Sequence, residues 1–271
     1  MSTIQLPFLN ETIEINRETI ADFRTDGHIQ IRSVLGKEEV NSYREVIRNA
    51  AYKYNTEKRR LEERDTYGKA FLQIMNLWEV DEQVRLFTLA KRFGKIAADL
   101  LGVKNVRLYH DQALYKEPGG GFTPWHQDQY YWPLDTNNTI TMWMPLVDIT
   151  AEAGMLTFAS ESHTHGFIEN LAISDDSELR LEKYINENGF SITRPKVMLA
   201  GDASFHYGWT LHSAPANISR VTREVMTIIF FADGAHVTEP KSDHQENDRQ
   251  RWLNGIAPGA LAASRLNPLI L

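Results

Sequence analysis

The chain has 271 residues, 42% of them hydrophobic, with 29 Lys and Arg against 36 Asp and Glu for a formal charge of −7. Such a composition supports a sizeable core, and its acidic balance argues against a nucleic-acid partner, which needs a clustered positive face. With no cysteine anywhere, iron–sulfur clusters, thiolate-ligated haem, cysteine zinc sites, cysteine nucleophiles and disulfides are all excluded.

In chain order, the opening "MSTIQLPFLNETIEI" has neither a basic n-region nor an apolar h-region and does not read as a signal peptide. No apolar run approaches the roughly 18 residues that a membrane span needs, so the expectation is a soluble, cytoplasmic protein. "NRETIADFRTDGH" (16–28) places Ile20 and Phe23 on one stripe and predicts a helix that stops at Gly27. "IQIRSV" alternates as a short strand does, and "GKEEVNSYREVIRNAAYKY" returns to helical spacing through Val40, Tyr43, Val46 and Ile47. "EKRRLEERD" (57–65) reads as a solvated helix face or loop, and residues 79–102 carry one long amphipathic pattern ending at Gly102. Then the character changes. "VRLYHDQALYKE", "TITMWMPLVDI", "GMLTFA", "KVMLAGDASFHY" and "REVMTIIFFA" are short β-branched or aromatic runs between turn residues. Together these predict a mainly β sandwich or small barrel braced by N-terminal α-helices. Without repeats or linkers, residues 1–271 read as one domain: a largely helical brace (1–102), a β core (103–235) and a C-terminal tail (236–271).

One segment carries chemistry. In "PWHQDQYYWPL" (124–134), His126 and Asp128 stand two apart and would share a face of an extended strand, with Gln127 turned away. Two such side chains and a second histidine make a 2-His-1-carboxylate site, which leaves coordination positions open on non-haem Fe(II). Alone, the pair is a weak motif, equally consistent with two polar residues beside an aromatic core strand. The best third ligand is His212; His206, six residues earlier, would replace it if the strand register differed. Eleven residues after His212, Arg223 opens a β run. A buried guanidinium requires an anionic partner, and its fork suits a carboxylate.

These residues together resemble the phytanoyl-CoA dioxygenase family of Fe(II)/2-oxoglutarate-dependent oxygenases, which includes phytanoyl-CoA and ectoine hydroxylases. "WHQDQYYWPL" is similar to the family's first metal motif, and the His212-to-Arg223 spacing to its second half. Supporting similarities are "FRTDGHIQIRSVLGKEEVNSYRE" near the start, "PLVDITAEAGMLTFASESHTHG" in the middle and "RWLNGIAPG…NPLIL" at the end. The resemblance implies a double-stranded β-helix (jelly-roll, cupin-like) core. It implies Fe(II) held by His126, Asp128 and His212, with 2-oxoglutarate and O2 as cosubstrates. Arg223 would bind the distal carboxylate of 2-oxoglutarate, and Thr227, on the same strand face, would add a hydroxyl. Trp143 falls near a family tryptophan that lines the cosubstrate pocket; Gln112 and Lys116 are looser candidates for the inner carboxylate or the substrate. The family often has a serine two positions after the distal histidine, whereas here Ser213 follows His212 directly. In related halogenases a small residue replaces the carboxylate, so Asp128 favours oxygen insertion or another oxidative outcome over halogenation. The implied reaction is hydroxylation of an unactivated C–H in a small organic molecule, a secondary metabolite or lipid-like compound.

Other residues read more plainly. His163 and His165 suggest loop stabilisation, and adjacent His110 and Asp111 would face opposite sides of a strand. Tyr130, Tyr131 and Trp132 suit core packing, with one of them at a substrate mouth. The Gly119–Gly121 run lacks the Lys and Ser/Thr of a phosphate loop and reads as a turn or lid. Two alternatives stay open: a non-oxidative metal hydrolase or cupin-like isomerase using the same three ligands, and a barrel that binds without turnover. Arg223 discriminates against the first, since hydrolysis needs no carboxylate anchor. The expected partner is a small-molecule substrate, with no nucleic acid, membrane or protein partner.

Overall fold

The computed structural model describes residues 6–271; the first five residues of the stretch judged not to be a signal peptide lie outside them. Asn16 starts helix α1 (Arg17–Asp26) by accepting from the Thr19 amide at 2.8 Å, and Gly27 ends it at φ +82°, donating to Phe23 O. Strand β1 (His28–Ile31) follows, then α2 (Lys37–Tyr54), whose Val40, Tyr43, Ile47, Ala50 and Ala51 form a buried stripe. The charged run 57–65 is loop with one short 3-10 turn at 61–63. Helix α3 (Thr66–Ala70) and strand β2 (Leu72–Met75) come next.

The long pattern at 79–102 is not one helix but parts of three: α4 (Leu77–Val80), α5 (Glu82–Thr88) and α6 (Lys91–Leu101). Asp81 breaks the first junction. It sits in extended conformation and its carboxylate accepts from the Gln83 and Val84 amides, capping a new helix instead of continuing the old one. Ala90, also extended, breaks the second.

The β half comprises β3 (Val106–Lys116), β4 (Thr123–His126), β5 (Thr139–Pro145), β6 (Ile149–Thr150) and β7 (Thr157–Ala159). After helix α7 (Asp175–Asn188) come β8 (Ile192–Thr193), β9 (Val197–Met198), β10 (Ala203–Tyr207), β11 (His212–Ala214) and β12 (Arg223–Ala232), and helix α8 (Asp243–Trp252) lies in the tail. All strand pairs are antiparallel: a six-stranded sheet β1-β10-β5-β12-β3-β2, a four-stranded sheet β4-β11-β7-β8, and the pair β6-β9. This is a jelly-roll core of facing sheets, not closed into a barrel. β1, at the expected "IQIRSV" strand, and β2, which the sequence reading does not anticipate, form the two edges of the larger sheet. Neither α7, inside the expected β core, nor α8, inside the tail, is foreseen by the sequence reading.

Alternation decides what each face of the large sheet does. Ala113, Met142, Met226, Ile228 and Phe230 pack with Phe93, Ile96 and Leu100 of α6 in the main core. Leu114, Trp143 and Val225 turn the other way, toward Met155, Phe158 and Ala214. In β3 the alternation is interrupted: Ile229 pairs with His110 but Phe230 pairs with Leu108, leaving Tyr109 as the extra residue of a bulge. Leu108 therefore stays in the helix-packed core, while Tyr109 joins Trp132, Phe231 and Leu253 on the opposite side. Among the described residues no helix is long and apolar enough to cross a membrane.

Candidate metal centre and its cavity

His126 ends β4, and its direct register partner on β11 is His212. Antiparallel pairing thus sets the two imidazoles side by side, ring centroids 4.0 Å apart. Each Nδ1 faces a backbone carbonyl, Pro124 O at 2.7 Å for His126 and Thr210 O at 2.9 Å for His212. A carbonyl only accepts, so each Nδ1 carries the proton and each Nε2 presents a lone pair. Those Nε2 atoms lie 3.5 and 3.6 Å from Asp128 Oδ1.

Asp128 arrives differently from the expectation. The strand stops at His126, Gln127 is extended, and Asp128 opens a 3-10 turn over 128–131. Gln127 does turn away, donating to Gly166 O and Trp209 O at 2.7 Å each. The turn brings the carboxylate back beside the imidazoles, and one ligand atom from each of His126, Asp128 and His212 lies within 4.8 Å of the others. Burial alone would raise the Asp128 carboxyl, but His212 and the contacts of His126 and His206 outweigh it and hold it well below the usual carboxylate range. Burial, then His126, keeps His212 neutral. Two imidazole Nε2 atoms and one carboxylate oxygen this close together fit a divalent first-row metal with coordination positions left open.

The cavity beside this cluster has a volume of about 440 Å³. Arg223 lines it, only 2% exposed, its guanidinium 5.3 Å from the Trp143 ring. One nitrogen donates to Gly154 O, Nε has no partner, and burial pulls the group down to about 9. Among the described residues no carboxylate pairs with it. Thr227 and Gln112 also line the cavity; the Thr227 hydroxyl donates to Gln112 O at 3.3 Å, and Gln112 Oε1 accepts from Gln73 Nε2 at 3.0 Å. Lys116 stands behind the wall, opposite Arg223 in the strand register. Its ammonium donates to Gly121 O and Thr123 Oγ1, and burial first, Arg223 second, push it down to about 6. Arg223 is thus a buried guanidinium in the cavity wall with no acid beside it among the described residues, an arrangement that suits an anion. Ala214, two positions after His212, lines the cavity, whereas Ser213 does not.

His206 is in the site without joining the ligand triad: its Nε2 lies 3.3 Å from Asp128 Oδ2. His110 faces the cavity while Asp111 faces the helices, accepting from the Leu77 and Trp78 amides and the Thr88 hydroxyl. His163 and His165 sit in a 3-10 turn, near Arg24 O and the Tyr184 hydroxyl. The glycine run is a pinned turn, with the amides of Gly119, Gly120 and Gly121 each bonded to a backbone carbonyl. Tyr131 and Trp132 line the cavity.

Sequence reasoning missed the far wall. His244, Asn247, Asp248 and Arg251 of α8 line it, and the Tyr109 hydroxyl donates to Asp248 Oδ2 at 3.1 Å. Ser242 followed by Gln245 is a start signal for that helix, and Ser242 does cap it; nothing local says where the helix docks.

The family model for phytanoyl-CoA dioxygenase matches residues 23–225. Solved structures share the fold. The α-ketoglutarate-dependent carbocyclase SnoK from nogalamycin biosynthesis is 23% identical, covering 95% of this chain and 97% of its own, at a TM-score of 0.76. The epimerase SnoN, in complex with Fe3+, α-ketoglutarate and nogalamycin RO, is 22% identical over 94% of this chain and 98% of its own, at 0.78. EctD from S. alaskensis with bound Fe is 16% identical over 87% and 85%, at 0.67. Among curated proteins no sequence matches this chain significantly.

Proposed function

The chain belongs to the phytanoyl-CoA dioxygenase family and is a 2-oxoglutarate-dependent oxygenase, and we propose that it hydroxylates an unactivated C–H bond of a small organic molecule. In that reaction 2-oxoglutarate, O2 and R–H give succinate, CO2 and R–OH. The observation that carries the reading is one cavity holding both an open-sided His126–Asp128–His212 cluster and an acid-free, buried Arg223. A non-oxidative metal hydrolase or isomerase, working without a keto-diacid cosubstrate, has use for the first and none for the second.

Iron, when bound, supplies the activation of O2 and the cleavage of the C–H bond. The chain's own residues position and exclude. His126 and His212 offer fixed Nε2 lone pairs, and Asp128 brings the negative charge. Arg223 grips the distal carboxylate of 2-oxoglutarate through its fork, with Thr227 beside it. Trp143 closes the wall and keeps water from the anchored cosubstrate. Because β1 and β2 complete the large sheet, we treat the whole chain as one domain.

The cavity is of ordinary small-molecule size and must hold cosubstrate and substrate together. Its apolar surfaces are largely aromatic, from Phe71, Tyr131, Trp132 and Trp252. A ring-bearing or lipid-like compound suits it better than a whole CoA thioester.

The test is anaerobic addition of Fe(II) and 2-oxoglutarate. A weak visible charge-transfer band is expected in the wild type and absent in His126→Ala. With O2 and a candidate substrate, succinate should form together with a product that has gained one oxygen. A product of unchanged oxygen content alongside succinate would replace hydroxylation with ring closure or epimerisation. Turnover without 2-oxoglutarate would replace oxidation altogether.

A further inference from the structure

The two oxygens of Asp128 face different company. Oδ1 points at the Nε2 atoms of His126 and His212. Oδ2 accepts from the Thr141 hydroxyl at 2.8 Å and from His206 Nε2 at 3.3 Å. Thr141 on β5 and His206 on β10 are direct partners in the antiparallel register of the large sheet. Backbone pairing therefore fixes the spacing of the two donors, and both come from outside the segment that carries Asp128. The carboxylate cannot rotate without breaking both bonds.

We infer that the Thr141–His206 cross-strand pair is a clamp that holds Asp128 as a one-oxygen ligand. This rests on the proposed metal site and deepens it. A three-atom ligand set leaves three positions for a chelating keto acid and O2. If Oδ2 swung onto the metal as well, one of those positions would be lost. The clamp occupies Oδ2 with two hydrogen bonds and so keeps the third position free. His206 and Thr141 are positioning residues: they act through Asp128 and do not themselves touch the metal.

The test reads metal binding, apart from turnover. Co(II) is titrated into the metal-free wild type, Thr141→Val, Thr141→Ser, His206→Leu and His206→Gln. Val keeps the shape of Thr without the hydroxyl; Gln keeps an N–H donor near the position of Nε2. The clamp predicts affinity weakened about ten- to a hundredfold in Thr141→Val and His206→Leu, the usual cost of removing such an outer hydrogen bond. Thr141→Ser and His206→Gln should recover most of it. Wild-type affinity in both Thr141→Val and His206→Leu would overturn the clamp, as would a loss in the rescue variants equal to that in their partners. If His126→Ala binds Co(II) as tightly as the wild type, the metal site itself is what fails.

Discussion

Around Arg223 the cavity wall is sheet; around His110 it is helix and loop. At the first end Leu114, Trp143, Thr227 and Arg223 come from β3, β5 and β12, paired without interruption over that stretch, while Ala214 comes from β11, whose register with β4 shifts between His212 and Ala214. At the second, α8 contributes five wall residues, His244, Asn247, Asp248, Arg251 and Trp252, yet has no fully buried side chain. It is held by tethers such as Tyr109 to Asp248 and Gln245 to the Tyr130 carbonyl at 3.1 Å. Ladders hold side chains to their positions more tightly than a few isolated side-chain tethers do. The anion and metal end is thus built for fixed geometry, and the α8 end can change its side chains at small cost to the fold. A scaffold made this way can keep one cosubstrate and vary what it acts on.

Variants at the two ends should separate these roles. The largest effect belongs to Arg223→Ala. Removing the one cation that lines that end among the described residues should weaken 2-oxoglutarate binding about a hundredfold or more, read by anaerobic titration of the charge-transfer band. Metal affinity should stay near that of the wild type; a parallel loss would mean that the two functions of this end cannot be separated.

Acid probes the other end. Burial pulls His110 down to about 3 from 6.5, so the fold keeps it neutral while the unfolded chain takes up a proton below 6.5. The stability tied to its neutral form is complete above 6.5 and is lost as pH falls toward 3, by at most about 1.4 kcal/mol per pH unit. Denaturant melts of the metal-free protein should show His110→Asn gaining on the wild type through that window. A pH-independent difference would place the imidazole in contact with water.

The smallest effect is expected at the mouth. Arg251 is exposed on α8, and Arg251→Ala should raise the substrate KM by no more than about fivefold, leaving 2-oxoglutarate binding untouched. A change in the cosubstrate titration would break the division between the ends.

What was legible in the sequence follows the same division. His126, His212 and Arg223 could be picked out because motif spacing reflects strand pairing, and strand pairing is what positions them. Gly27 and Gly102 closed their helices as expected, since both need positive φ, 82° and 73°. Asp128 does lie beside the two histidines, but a 3-10 turn delivers it there and strand alternation does not. The split at Asp81 escaped because the apolar period continues across a residue whose side chain caps a new helix. Thr141 and α8 were invisible for another reason. Their roles depend on which segments meet across long stretches of chain, and no local pattern encodes that meeting.

The bulge in β3 has a consequence of its own. A strict odd–even count down from Lys116 would send Leu108 to the wrong side, yet the packing of Leu108 keeps step with Phe230 of β12. Tyr109 is thus a supernumerary residue, spliced in without shifting the phase of its neighbours. A chain shortened by that one position would keep Leu108 in the main core but lose the buried Tyr109 ring from its cluster with Trp132, Phe231 and Leu253, and with it the phenol that moors the C-terminal helix at Asp248. One inserted residue of the large sheet thus fills a secondary core and grips the far helix at the same time.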